Sequence, residues 1–167
     1  MTAVRPARVD DLSALTDIYN YYVINTPVTF DLEPYAPHQR RAWFDEHVDS
    51  GRHRLLVAEN ADGELVGYAT SSRWRAKAAY DTTVETSVYC RNGATGQGIG
   101  TRLYTALFEA IADQDVHRLV AGMTLPNAAS MALHERLGFT RVGEFVEVGR
   151  KFGQYWNVGW FERPMTR

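Results

Sequence analysis

The sequence predicts an α/β fold in which helices flank a mixed, partly parallel central sheet. Three observations carry this prediction. Segments with a helical apolar period alternate with short apolar runs that are typical of strands. A glycine-rich run at residues 93–100 joins a predicted strand to a predicted helix. A capped helix at residues 127–137 runs directly into another strand. The chain of 167 residues is expected to form a single domain, 1–167.

The N-terminal part is predicted to contain a strand, a helix and a long loop. Residues 3–8 are typical of a short strand. Asp10 is expected to cap a helix over residues 10–24, because apolar side chains recur there on one face. Residues 26–37 contain three prolines, which favour a loop over either regular structure.

The middle of the chain is predicted to form a helix and a hairpin. Residues 38–49 have a helical pattern. Residues 54–59 and 64–73 are apolar segments separated by Asp62-Gly63, a dipeptide that favours a tight turn. We therefore expect two adjacent antiparallel strands here.

The C-terminal part is predicted to complete the sheet. Residues 82–91 are expected to form a central strand, and residues 101–113 a helix that follows the glycine-rich run. A strand over residues 117–123 precedes the capped helix. Residues 139–148 and 155–161 are predicted to form the closing strands.

Composition excludes several classes of protein. Hydrophobic residues make up 45% of the chain and charged residues 23%, as in ordinary globular proteins. The formal net charge of −2 gives no basis for binding nucleic acid or an anionic membrane. The sequence shows neither a signal peptide nor a long apolar run. Cys90 is the only cysteine, so a reducing compartment is allowed. We expect a cytoplasmic protein.

The glycine-rich run indicates a phosphate-binding loop. Its four glycines leave backbone amides uncovered by side chains at the start of a predicted helix. Such amides have no partner within the helix and attract anions. The run is not a P-loop, because no Gly-Lys-Ser/Thr follows it. It also lacks the glycine spacing of a dinucleotide-binding fold.

Two motifs together identify a family resemblance. The run Thr95-Gly96-Gln97-Gly98-Ile99-Gly100 resembles Gln/Arg-x-x-Gly-x-Gly/Ala, the acetyl-CoA pyrophosphate loop of GNAT acetyltransferases. Thr95 stands where that motif has Gln or Arg, so a long side chain is missing while the amides remain. The run Asn-x-x-Ser…Gly-Phe at residues 127–139 is similar to the GNAT segment that faces the pantetheine arm.

The resemblance implies acetyl-CoA as cosubstrate. The backbone near Val88 to Cys90 would present an amide to the reacting carbonyl. The residues expected to contact the cosubstrate are Val88, Tyr89, Cys90, Gly96, Gln97, Gly98, Ile99, Gly100, Thr101, Asn127 and Ser130.

Longer segments narrow the resemblance to a subfamily. Residues 27–34, 74–81, 83–89, 133–135 and 151–153 resemble phosphinothricin N-acetyltransferases, a group that also includes methionine sulfoximine and methionine sulfone acetyltransferases. The resemblance implies a small amino acid analogue as acceptor and a homodimer as the assembly.

Glu85 is the expected general base. An ammonium has no lone pair, so it must lose a proton before it attacks a thioester. Glu is disfavoured inside strands, yet Glu85 stands in the middle of one. The resemblance puts the proposed base at this position. A carboxylate with an ordinary pKa near 4.3 would need burial or a water relay to serve. The alternative is a structural ion pair with a nearby Lys or Arg.

His134 is the second catalytic candidate. Many GNAT enzymes have a Tyr at this position that is thought to protonate the leaving thiolate, and an imidazolium could do the same. His134 could equally orient the substrate, act as a base or only pack in a half-buried site. Tyr104 is the fallback acid, although a core aromatic is the simpler interpretation of its spacing. Cys90 is a less favoured nucleophile, since a lone cysteine is usually a small buried hydrophobe.

The acceptor pocket is expected to involve the loops around residues 30 and 75. Arg75 could hold an anionic or polar oxygen through paired hydrogen bonds, with Lys77 beside it. Phe30 and Tyr80 could form walls, while Trp43 and Trp74 are expected in the core. No metal is predicted, because the histidines lack the spacing of metal ligands.

Two other functions stay open. A protein N-terminus or an aminoglycoside could be the acceptor, although the loop at residues 26–37 has only two carboxylates for an aminoglycoside. An acyl-CoA-binding regulatory domain without turnover is the alternative from another class. The presence of both Glu85 and His134 argues against it.

Overall fold

The computed structural model describes residues 2–47 and 49–165 of the chain. The strands are β1 (Ala3–Pro6), β2 (Arg54–Glu59), β3 (Leu65–Arg73), β4 (Thr83–Cys90), β5 (Arg118–Leu125), β6 (Thr140–Lys151) and β7 (Gln154–Pro164). The helices are α1 (Leu12–Asn25), α2 (Arg41–Asp45), α3 (Ile99–Ala110) and α4 (Ala128–Arg136).

All seven strands form one sheet in the order β1-β2-β3-β4-β5-β7-β6. Strands β4 and β5 are parallel, and every other neighbouring pair is antiparallel. Helix α3 lies in the connection between the two parallel strands, as parallel pairing requires a crossover. The predicted mixed, partly parallel sheet is confirmed.

The β4–β5 pairing is short. It joins Thr83 to Arg118, Val84 to Leu119 and Glu85 to Val120, and the ladder ends there. Beyond this point β4 continues to Cys90 and β5 to Leu125 without pairing to each other. The two strands therefore separate in the middle of the sheet and leave an opening between them.

Helices cover both faces of the sheet. On one face, a core that includes Leu103 and Leu107 of α3 packs against Val84 of β4. On the other face, Leu15 of α1 packs with Tyr68 of β3. Because side chains alternate along a strand, Glu85 points away from the α3 core and toward the α1 side.

The main deviations from the predicted elements lie near α1 and α2. Asp10 is not the N-cap, because a 3₁₀ turn at Val9–Asp11 precedes the helix and Asp11 occupies the cap position. The carboxylate of Asp11 accepts hydrogen bonds from Arg5 and from the backbone of Arg8, which fixes that turn. The helix predicted over residues 38–49 is a 3₁₀ turn followed by the short α2, and Val48 lies outside the described residues.

The capped helix is confirmed as α4. The Asn127 side chain accepts a hydrogen bond from the backbone amide of Ser130 at 3.1 Å. Gly138, with φ of +85°, ends the helix in the left-handed conformation. In residues 2–47 and 49–165, no helix combines the length and the apolar character needed to cross a membrane.

Candidate active site

The glycine-rich loop presents an open surface at the start of α3. Gly96 and Gly98 adopt left-handed φ values of +80° and +75°, and Gly98 is the N-cap of the helix. A Cβ built on either residue would meet nothing within 4 Å, so the outer side of the loop is free of protein atoms in the described structure. Ile99 is buried and anchors the loop to the core. The amides of the first helical turn are thus available to an anion.

The loop lies beside the opening between β4 and β5. A Cβ on Gly100 would be 3.0 Å from Leu133 Cδ2 of α4 and 3.9 Å from Val88 Cγ2 of β4. Three elements that contain predicted cosubstrate contacts therefore converge at Gly100: the start of α3, the end of β4 and helix α4.

Helix α4 approaches the loop through Leu133. At the start of this helix, Asn127 lines a different cavity of about 380 Å³, together with Met131 and with Arg141 and Asn157 of the closing strands. Ser130 lies in the first turn of α4, where its amide is held by the Asn127 side chain. The edge of β4 that faces β5 pairs with no strand from Thr86 to Cys90, and it completes a groove beside the loop.

Glu85 is the last β4 residue that pairs with β5, and it lines a cavity of about 400 Å³. Its side chain is half-buried, and burial raises the pKa of the carboxyl group, while the charge of Arg75 opposes that rise. Within the described residues, its carboxylate makes no hydrogen bond or ion pair. Such a carboxylate can accept a proton from a ligand in the cavity.

Five of the other residues that line this cavity are aromatic. Tyr89 was expected to contact the cosubstrate, but sequence reasoning did not assign the other aromatic residues to the site. Trp43 was expected in the core, and it both packs on the α1-side core and lines the cavity. The sequence contained an indication of this cavity. Tyrosines on the inward face of α1 bring hydroxyl groups into the interior, and a purely apolar core does not need them. The lining residues are Tyr19, Asp31, Tyr35, Gln39, Arg40, Trp43, Tyr68, Thr70, Ser72, Glu85, Ser87 and Tyr89.

The four predicted acceptor residues do not line the Glu85 cavity. Arg75 lines a separate cavity of about 350 Å³ with Trp74. Tyr80 and Lys77 are exposed, and the Tyr80 ring packs edge-on against Trp74 at 5.1 Å. Phe30 lies so close to Gly149 that a Cβ there would be 2.2 Å from the ring. Only Arg75 is linked to Glu85, through its effect on the pKa of that carboxyl group.

His134 is enclosed in the core and is 3% exposed. Its Nδ1 donates to the backbone oxygen of Ser130 at 2.8 Å, which leaves Nε2 to accept from the Tyr104 hydroxyl at 3.1 Å. Burial lowers the pKa of His134, so the neutral ring is favoured. Phe139 and Phe161 pack around it. Its role at the leaving group stays a prediction, and the Tyr104 side chain that it contacts is itself buried.

Cys90 has surroundings that do not favour a nucleophile. Burial raises the pKa of its thiol, so the reactive thiolate is disfavoured. Its backbone oxygen accepts a hydrogen bond from the Tyr22 hydroxyl at 2.5 Å, which ties the end of β4 to α1. In the part of the chain that the structure describes, no group of three or more potential ligands could hold a metal ion.

Known proteins share both the sequence and the fold. The Acetyltransferase (GNAT) domain family matches residues 4–160. The phosphinothricin N-acetyltransferase of Streptomyces coelicolor is 55% identical over 163 residues, which cover 97% of this chain and 95% of that protein. The L-methionine sulfoximine/L-methionine sulfone acetyltransferase of Pseudomonas aeruginosa is 41% identical over 153 residues, which cover 92% of this chain and 88% of that protein.

One of the similar solved structures contains acetyl-CoA. The crystal structure of a GNAT superfamily phosphinothricin acetyltransferase from Sinorhizobium meliloti in complex with acetyl-CoA has a TM-score of 0.92 and 29% identity. The matched region covers 98% of this chain and 88% of the Sinorhizobium meliloti chain.

The residues present here fit acetyl-CoA, since the loop at Gly96 and Gly98 has no side chain or neighbouring atom on its outer side. The predicted N-acetyltransferase activity and the predicted use of acetyl-CoA are confirmed. The open phosphate loop, the separated parallel strands and the family match together show that the chain belongs to the GNAT acetyltransferases.

Proposed function

We propose that this enzyme acetylates the α-amino group of a small amino acid analogue of the phosphinothricin, methionine sulfoximine or methionine sulfone type. The observation that carries the proposal is Glu85, a half-buried carboxylate in a cavity of about 400 Å³ beside the opening between β4 and β5. That volume suits a ligand the size of an amino acid. The relatives named for these acceptors support the same substrate class.

The chemistry begins with the acceptor amine. Glu85, directly or through a water molecule, takes one proton from the ammonium and frees the nitrogen lone pair. The nitrogen attacks the thioester carbonyl carbon, the C–N bond forms and the C–S bond breaks. The nitrogen loses a second proton as the amide forms, and the departing thiolate takes up one proton to become the free thiol. Backbone amides near Val88 to Cys90 are the proposed donors to the carbonyl oxygen.

The proposed cosubstrate contacts follow the groove described above. The amides of residues 96–101 would hold the pyrophosphate, and Asn127 and Ser130 would flank the pantetheine arm. The outer side of the loop supports this assignment because it is open at Gly96 and Gly98. His134 would protonate the leaving thiolate or orient the substrate, which would require access to a side chain that the fold encloses.

We further propose a homodimer that works in the cytoplasm. Strand β6 is an edge strand, and several of its apolar side chains are exposed: Val142 is 62% exposed, Phe145 57% and Val146 71%. Apolar edges of this kind are rarely left uncovered in a native protein. The lone thiol, Cys90, is compatible with a reducing compartment.

Thiol release from acetyl-CoA, measured against a panel of amines, tests the proposed acceptor class. The panel contains phosphinothricin, methionine sulfoximine, methionine sulfone, ordinary amino acids, an aminoglycoside and a short peptide. Turnover is expected with the amino acid analogues. Turnover confined to the peptide or the aminoglycoside would reject the proposed acceptor, and acetyl-CoA binding without any turnover would favour the regulatory domain.

Replacing the carboxylate of Glu85 tests its role as base. Glu85→Gln should lower kcat by about 10²–10⁴-fold, the usual contribution of a general base, while acetyl-CoA affinity is preserved. Burial raises the pKa of Glu85, so the wild-type kcat/KM should fall with decreasing pH at a pH above the ordinary pKa of a glutamate. This acid limb should disappear in the variant. The exposed Glu64→Gln is the matched control, and equal activity in the two variants would exclude Glu85 from catalysis.

A side chain on the loop tests the pyrophosphate site. Gly98→Val should weaken acetyl-CoA binding by at least about tenfold in calorimetry, since it covers the amides and strains a left-handed residue. Gly63→Val is the control, because Gly63 has a similar φ of +79° and equally open surroundings in the β2–β3 turn. If both variants bind acetyl-CoA like the wild type, the pyrophosphate lies elsewhere.

Charge on strand β6 tests the dimer. The double variant Val142→Glu, Val146→Glu should sediment as a monomer where the wild type sediments as a dimer, because a buried carboxylate without a partner is unfavourable. Ile24→Glu, at an exposed position on α1, is the control. A wild-type monomer across the working concentrations would contradict the proposed assembly.

A further inference from the structure

Arg40 is a buried cation in the wall of the Glu85 cavity. It ends the 3₁₀ turn before α2 and is 6% exposed. Its guanidinium lies 4.4 Å from the ring centre of Tyr19 and 3.8 Å from that of Trp43. One hydrogen bond, from Nη1 to the backbone oxygen of Leu15 at 3.2 Å, is formed. Within residues 2–47 and 49–165, no carboxylate lies at ion-pair distance from it.

These surroundings leave most of its hydrogen-bonding capacity unused. A guanidinium has five N–H donors, and aromatic faces stabilise its charge without accepting from the donors in its plane. A buried charge normally requires an opposite charge or a full set of hydrogen bonds. Arg40 is therefore arranged to receive an anionic oxygen from a ligand in the cavity.

Tyr68 supplies a second observation in the same cavity. It is 1% exposed, and its hydroxyl has no hydrogen-bond partner within the described residues. Burial raises the pKa of this phenol, while the charge of nearby Arg40 opposes that rise, so the hydroxyl keeps its proton and can donate a hydrogen bond. Buried hydroxyls without a partner are unfavourable, and a ligand acceptor would satisfy this one.

The charges of the cavity match a zwitterionic acceptor. Two carboxylates line it, Glu85 and Asp31, and Asp31 already accepts a hydrogen bond from Tyr19 at 2.5 Å. Arg40 is the guanidinium among the same lining residues. An α-amino acid has its amine and its carboxylate on one carbon, so a base and a cation in one small cavity can bind both groups.

We infer that Arg40 and Tyr68 bind the α-carboxylate of the acceptor while Glu85 receives the proton of its α-amino group. This inference rests on the proposed function, and it assigns the carboxylate to the Glu85 cavity, away from Arg75. The side chains of a sulfone and a sulfoximine are not anionic, so the α-carboxylate is the anion that the whole acceptor class shares.

The test compares methionine sulfone with its α-carboxamide as acceptors, which differ only in the anionic group. The measured quantity is the ratio of kcat/KM for the acid to kcat/KM for the amide. Arg40→Gln should lower this ratio by about 30-fold or more relative to the wild type, since charge-assisted pairs in buried sites are strong. Most of the loss should appear in KM for the acid.

Tyr68→Phe keeps the experiment decisive if Arg40→Gln does not fold. It should lower the same ratio about threefold to tenfold, and its free energy of unfolding should not fall, because the removed hydroxyl has no partner in the free protein. Arg41→Gln is the matched control, as Arg41 is exposed and pairs with Asp45 at 2.8 Å. Its ratio should equal that of the wild type.

The outcomes separate the two proposals. A ratio unchanged in both Arg40→Gln and Tyr68→Phe, with both acceptors affected equally, would overturn the inference and make Arg40 a structural residue. Wild-type enzyme that acetylates neither acceptor, nor any amino acid analogue of the panel, would overturn the proposed function itself.

Discussion

The short parallel pairing between β4 and β5 is the constraint on which the rest of this site depends. Three residue pairs hold the two strands together, and the last of them joins Glu85 to Val120. Beyond it, β4 has five more residues whose edge toward β5 is unpaired. A continuous ladder would satisfy these backbone groups internally and close the groove. Because the strands separate, the phosphate loop, the end of β4 and helix α4 can meet around one ligand.

The position of Glu85 at this separation has an energetic consequence. Its folded-state pKa is raised by burial, so the folded protein binds this proton more tightly than the unfolded chain does. The contribution of Glu85 to the free energy of unfolding is therefore most favourable at low pH and declines as the pH rises through the folded-state pKa. Ionisation of Glu85, which a base requires, therefore lowers the free energy of unfolding, as is common for carboxylates at functional sites.

The aromatic cluster next to Glu85 gives the cavity a rigid wall. The Tyr89 ring lies 5.4 Å from Tyr19, 5.2 Å from Tyr22 and 5.3 Å from Tyr68, so rings from α1, β3 and β4 fix one another. These side chains bury apolar area on the core side and offer hydroxyl groups on the cavity side. Tyr68 and Tyr89 therefore both pack in the α1-side core and line the cavity, whose shape limits the ligands it can accept.

The sequence by itself determined the α/β class, the order of nearly all elements, the phosphate loop and the capped helix. Each of these depends on local features: apolar periodicity, glycines that permit a left-handed φ at Gly96 and Gly98, and the Asn127 cap. It also singled out Glu85, because a carboxylate in a strand interior contradicts local preference. Local rules failed at residues 38–49, where a 3₁₀ turn at Pro37–Arg40 and the short α2 replace the single predicted helix.

Only the tertiary structure decided which residues share a cavity. Tyr19, Arg40, Tyr68 and Glu85 lie on four separate elements, and no spacing along the chain relates them. The sheet order brings β3 and β4 together, and the packing of α1 turns its tyrosines toward them. The sequence also did not show which polar residues are buried. His134 and Arg40 are basic residues whose positions along the chain do not predict burial, and the fold encloses both. Enclosure depends on all the elements at once, so it cannot be read from any one of them.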